Sequence, residues 1–94
     1  MLTRFDSFYG GHVEMENLGF RGTPVSERSL SDERLASVFK EAEVLAQLMD
    51  RLGFDTLWLA EHHFQTEGYG CIPNILMLSL YLAQVTKRLD FGGF

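Results

Sequence analysis

A chain of 94 residues is one domain's worth of sequence at most, and 46% hydrophobic with 22% charged residues is the composition of a folding globular protein, which excludes a disordered one. A net charge of -5, a pI near 5.0 and no basic cluster longer than Lys87-Arg88 count against nucleic acid as a partner. The single Cys71 excludes an internal disulfide, no leader-like apolar stretch follows Arg4, and the densest apolar run, Ile75 to Ala83, falls short of the roughly 20 residues a membrane crossing needs, so no membrane and a cytoplasmic location are expected.

The first element, about Leu2 to Tyr9, carries Phe5, Phe8 and Tyr9 and stops at Gly10-Gly11, as a short strand running into a turn does. From Gly11 to Ser31 neither a period of 2 nor one of 3.6 is sustained, and the spacing predicts a long loop, which in a compact domain is either a functional lid or a plain insertion. Next, Leu35, Val38, Phe39, Ala42, Leu45, Ala46, Met49 and Leu52 recur at helical spacing. Ser31 is placed to cap this amphipathic helix, Asp32 and Glu33 put negative charge in its first turn, and Gly53 stands where a left-handed C-terminal cap belongs.

The apolar run Phe54 to Ala60 then reads as a strand covered on both faces, with Trp58 as a core residue. A polar stretch, Glu61 to Cys71, leads to Pro73 at the first position of a second helix, about Asn74 to Lys87. Its apolar residues cover more than one face, which implies a neighbour besides the sheet. Leu89 to Phe94 reads as a third strand, weakened by Gly92 and Gly93. Strand, helix, strand, helix, strand is a parallel α/β arrangement, as in a barrel or a doubly wound sheet. The glycines at Gly10-Gly11 open a long loop and no helix, so the dinucleotide-binding turn is missing from its place and a barrel is favoured.

Parallel α/β folds gather their ligands beyond the C-terminal ends of the strands, and there stands Glu61-His62-His63-Phe64. An imidazole with an ordinary pKa of about 6.5 exchanges protons near neutrality, and a neighbouring carboxylate can orient it, so general acid/base chemistry is one reading. Simple hydrogen bonding of the loop backbone is the other, and the spacing leaves both open. A metal held by His12, Glu61, His62, His63 or Cys71 is disfavoured: neighbouring side chains on an extended strand point to opposite faces, and no metal-ligand spacing is present. Cys71 beside Ile72 reads as a small packing residue, with a nucleophilic thiol as the alternative.

The run Gly53-Phe54-Asp55-Thr56-Leu57-Trp58-Leu59-Ala60-Glu61-His62-His63-Phe64, with Gly68, Pro73 and Asn74 after it and Thr86-Lys87-Arg88-Leu89 leading into the third strand, resembles the bacterial luciferase-like flavin-dependent monooxygenases. The resemblance implies that residues 1–94 are the N-terminal βαβαβ portion of a TIM (β/α)8 barrel, one partial domain with the first three strands and two helices. It further implies an enzyme that oxidises an aldehyde or another small organic substrate with reduced FMN and oxygen, the flavin supplied by a flavin reductase; some relatives use a deazaflavin. His62 matches the position implicated in acid/base catalysis, Glu61 the adjacent carboxylate lining the site, and His63 carries over more weakly. Dimerisation through the helix at 74–87 would account for its two-sided apolar surface. The cofactor-binding residues are left unassigned. A whole barrel takes about 250 residues, so a chain of this length is expected to be part of a larger protein or a truncated product, inactive by itself. A non-catalytic flavoprotein relative or an interaction subunit on the same scaffold is the competing expectation.

Overall fold

In the computed structural model the chain forms β1 (Asp6–Tyr9), α1 (Asp32–Leu52), β2 (Thr56–Leu59), α2 (Ile75–Gln84) and β3 (Asp90–Gly93). The structure describes residues 1–94 except 15, 16, 18–20, 23, 25, 26 and 66. The expected loop at 11–31 therefore lies partly outside the described residues; those of it that are described contain no strand and no α-helix.

α1 begins and ends where its polar signals stand. The Ser31 hydroxyl accepts the Arg34 N–H, and Gly53 takes the left-handed conformation (φ 84°), its N–H bonding to the last turn. The apolar stripe buries Val38, Ala42, Ala46 and Met49. α2 starts one residue later than expected and ends three residues earlier, at Gln84. Asn74 is its cap, accepting the Met77 N–H at 2.9 Å, and Pro73 precedes the cap instead of opening the helix. An asparagine with a side-chain acceptor can satisfy an orphan N–H, which proline cannot, and this decides the boundary.

The three strands pair in parallel in the order β1-β2-β3, with Phe8 opposite Trp58 opposite Gly92, and Tyr9 opposite Leu59 opposite Gly93. Leu57 and Leu59 are fully buried in one cluster with the α1 residues and with Leu78 and Leu82 of α2, so both helices pack on this face of the sheet. On the opposite face, where β2 was expected to be covered as well, Thr56 is buried and Trp58 is open. Trp58 remains 39% exposed there, donating from its indole N–H to Asp6 at 3.1 Å, and Phe8 and Phe94 stack at 5.7 Å beside it. The glycines of β3 are explained by close approach: the Trp58 ring covers Gly92, and the Ile75 side chain covers Gly93.

At the far end of the helices, the Asp50 carboxylate accepts the backbone N–H groups of Lys87, Arg88 and Leu89 at 2.8–3.0 Å. These bonds, that of Arg88 foremost, hold the Asp50 carboxyl below the usual range. A single α1 side chain thus fixes the turn that feeds β3.

Candidate active site at the strand ends

Beyond Leu59 the backbone pairing continues to Glu61, whose N–H donates to Phe94 O at 2.9 Å; His62 lines the cleft described below, while Glu61 and His63 pair with each other. The His62 N–H donates to Ile72 O at 2.9 Å, Cys71 N–H to Gly11 O at 2.8 Å, and Val13 N–H to Gly68 O at 2.8 Å. These bonds lace the exits of β1 and β2 to the loop returning toward α2, and they make a floor for the strand ends.

Over this floor opens a cleft of about 700 Å³, lined by Phe8, Gly10, His12, His62 and Tyr69 together with Glu14 and Glu41. The α1 side of it is tied to the sheet by the Tyr9 hydroxyl, 2.8 Å from Glu41 Oε2 and 3.1 Å from the Val38 carbonyl. Burial, reinforced by the Glu41 hydrogen bond, holds the Tyr9 phenol well above its ordinary range, so it stays protonated and donates. His62 is partly buried, and its Nδ1 is sealed from solvent.

Glu61, expected beside His62 as a site-lining carboxylate, makes its contacts with His63 and at the start of α2. Its Oε2 accepts the Ile75 N–H at 3.0 Å, at the first turn of α2, and its Oε1 pairs with His63 Nε2 at 3.0 Å. The Ile75 N–H and then His63 hold its carboxyl below the usual range. The spacing of two between Glu61 and His63 was the signal for this pairing in the sequence. His12 and Tyr69 join the cleft through loop closure, for which the sequence had no local signal. Cys71 is partly buried, and burial followed by the charge of Glu67 pushes its thiol up, away from the thiolate a nucleophile needs. Among the described residues no three His, Cys, Asp or Glu side chains gather as a metal-binding group, and no helix is long and apolar enough to cross a membrane.

A family model described as luciferase-like monooxygenase matches residues 15–93. The chain is similar to the alkanal monooxygenase alpha chain of Photorhabdus laumondii, 42% identical over 55 residues, covering 58% of this chain and 15% of that protein. It is similar to YwcH of Bacillus subtilis, an uncharacterised protein, at 34% over 71 residues (76% and 20% of the two chains). It is also similar to 4-hydroxyprotoasukamycin monooxygenase of Streptomyces nodosus subsp. asukaensis, at 28% over 78 residues (83% and 20%). The chain thus spans a fifth or less of the length of these curated relatives.

Proposed function

The chain belongs to the luciferase-like monooxygenase family, and from that premise we propose that it forms the first three strands of a TIM (β/α)8 barrel whose strand-end cleft serves a flavin-dependent oxidation, with His62 as the proton-transfer group. The barrel reading is supported by the family to which the chain belongs, and three parallel strands in chain order with both helices on one face are consistent with the first part of such a barrel.

The observation that carries the functional reading is His62 itself. It stands past the C-terminal end of a parallel strand, its backbone is pinned at 2.9 Å to Ile72, and its ring lines the cleft. The described lining fits the ring portion of a flavin in part: Phe8 and Tyr69 offer aromatic surface, and Gly10 leaves room for close approach. None of these lining residues is Lys or Arg, so a flavin phosphate would be held by residues other than these. Reduced FMN, or a deazaflavin as the alternative cofactor, would when bound supply two electrons to molecular oxygen, the oxidant of the substrate. The protein's part is to orient the substrate, limit water, and hold or return a proton at the His62 nitrogen facing the cleft. Glu61 acts one step removed, fixing the start of α2 and the ring of His63. The similarity to an alkanal monooxygenase alpha chain supports an aldehyde as the probe substrate. A flavin reductase belongs to the same proposal as the supplier of reduced flavin.

The test is kinetic. In protein carrying the whole barrel, His62→Ala should lower turnover of an alkanal by about 10²- to 10⁴-fold while the protein stays folded, the range one general acid or base contributes.

Association through α2 (Ile75–Gln84), the helix expected at 74–87, is also proposed. Leu76, Met77, Leu80 and Tyr81 of α2 are exposed, which supports a partner surface beyond the sheet.

A further inference from the structure

Two buried side-chain atoms beside the cleft, His62 Nδ1 and Gln65 Oε1, make no hydrogen bond. They converge on one residue. A Cβ at Gly70 would lie 2.5 Å from His62 Nδ1 and 2.9 Å from Gln65 Oε1, so both atoms border one position that only glycine leaves clear, with no hydrogen bond joining them. Phe64, between the histidines and Gln65, adopts a left-handed backbone (φ 60°), which turns the chain back after the strand end.

We propose that Gln65 is the positioning residue of His62: a small turn of its carboxamide lets the oxygen receive Nδ1–H, and this fixes the neutral tautomer in which Nε2 presents its lone pair to the cleft. The chemistry of the two groups leads there. A carboxamide oxygen can only accept, so the nitrogen facing it must carry the hydrogen, and the bond at one ring nitrogen sets the state of the other. Sealed polar atoms left unpaired are costly, and pairing these two removes both costs together. The neighbouring carboxylate does not compete for the role, since both oxygens of Glu61 are engaged by His63 and Ile75. An uncharged acceptor also leaves the imidazole free to take up a proton and give it back. Gly70 is the residue whose missing side chain leaves room for the two groups to meet.

The inference rests on the reading of His62 as the proton-transfer group, and its test is read without turnover. Nitrogen-15 NMR of His62 in the full-length protein reports the tautomer directly. The wild type should show neutral His62 protonated at Nδ1. Gln65→Met, which keeps the length and loses the acceptor, should move the tautomer ratio toward Nε2–H by roughly two- to tenfold, the range one net hydrogen bond gives. Gln65→Glu, which restores an acceptor oxygen, should return the ring to Nδ1–H. A wild-type His62 protonated mainly at Nε2, or a ratio unmoved by Gln65→Met, overturns the proposal, and the wild-type measurement stands even if a variant fails to fold. An unchanged turnover in His62→Ala would instead sink the functional reading and leave the tautomer result intact.

Discussion

His62 and Glu61 stand next to each other in the chain and do different work in the fold. That a titratable group would stand at this strand end was legible, because the apolar run Phe54 to Ala60 had to end near Glu61. Which group faced the cleft was not stated by composition: it depends on the local course of the chain, which has His62 line the cleft and pairs Glu61 with His63 at 3.0 Å. Gln65, Gly70, His12 and Tyr69 carried no periodic or motif signal, because a loop closed by a few backbone bonds brings them together. Gly70 gives the sharpest check at this scale. A methyl there would meet the His62 ring at 2.5 Å, closer than side-chain contacts allow, so the ring or the loop must shift. Gly70→Ala should therefore lower turnover by about a hundredfold, the effect of displacing a reacting group by about an ångström, while circular dichroism shows the fold retained.

The helices were the most readable elements, since a 3.6-residue stripe bracketed by Ser31 and Gly53 states both its face and its ends. The strands were expected longer than the ladder they form: about Leu2 to Tyr9 became Asp6–Tyr9, and Leu89 to Phe94 became Asp90–Gly93. Single backbone bonds continue beyond these bounds, Phe5 O accepting the Asp55 N–H at 2.8 Å and the Phe94 N–H donating to Leu59 O at 3.1 Å. Invisible in the sequence was Asp50, which looks like any polar residue on an α1 turn yet holds the N–H groups of Lys87, Arg88 and Leu89. Its carboxyl sits below the usual range in the folded chain, so the stabilisation it contributes is complete above the ordinary aspartate pKa and is lost as pH falls through the lowered one. Asp50→Asn should melt at lower temperature than the wild type at neutral pH, and the gap should close on acidification through that range. Thermal melts from pH 7 down to 3 check this; a gap independent of pH would show that the charge of Asp50 is immaterial.

At the scale of the whole molecule, one sheet face is covered by helices and the other shows Phe8, Trp58 and Phe94, while the outer side of α2 shows Leu76, Met77, Leu80 and Tyr81. The first surface fits the interior of a barrel, where layers of side chains from further strands would meet it. The second fits a contact between copies. Met77→Asp combined with Leu80→Asp should convert an associated protein to monomers by analytical ultracentrifugation without changing its circular dichroism, since both side chains are exposed in the single chain. The two-sided character of α2 was legible as apolar residues all round the helix; what covers each side was not, because periodicity records burial and not the partner.

The central claim is that His62 transfers a proton in a flavin-dependent oxidation. The measurement that bears on it most directly is the turnover of an alkanal by full-length His62→Ala protein relative to wild type, at saturating reduced FMN and oxygen, with flavin affinity followed in parallel by fluorescence quenching. A fall in kcat of about 10²- to 10⁴-fold with reduced-flavin binding little changed is the predicted result; a kcat within a few-fold of wild type would contradict the account.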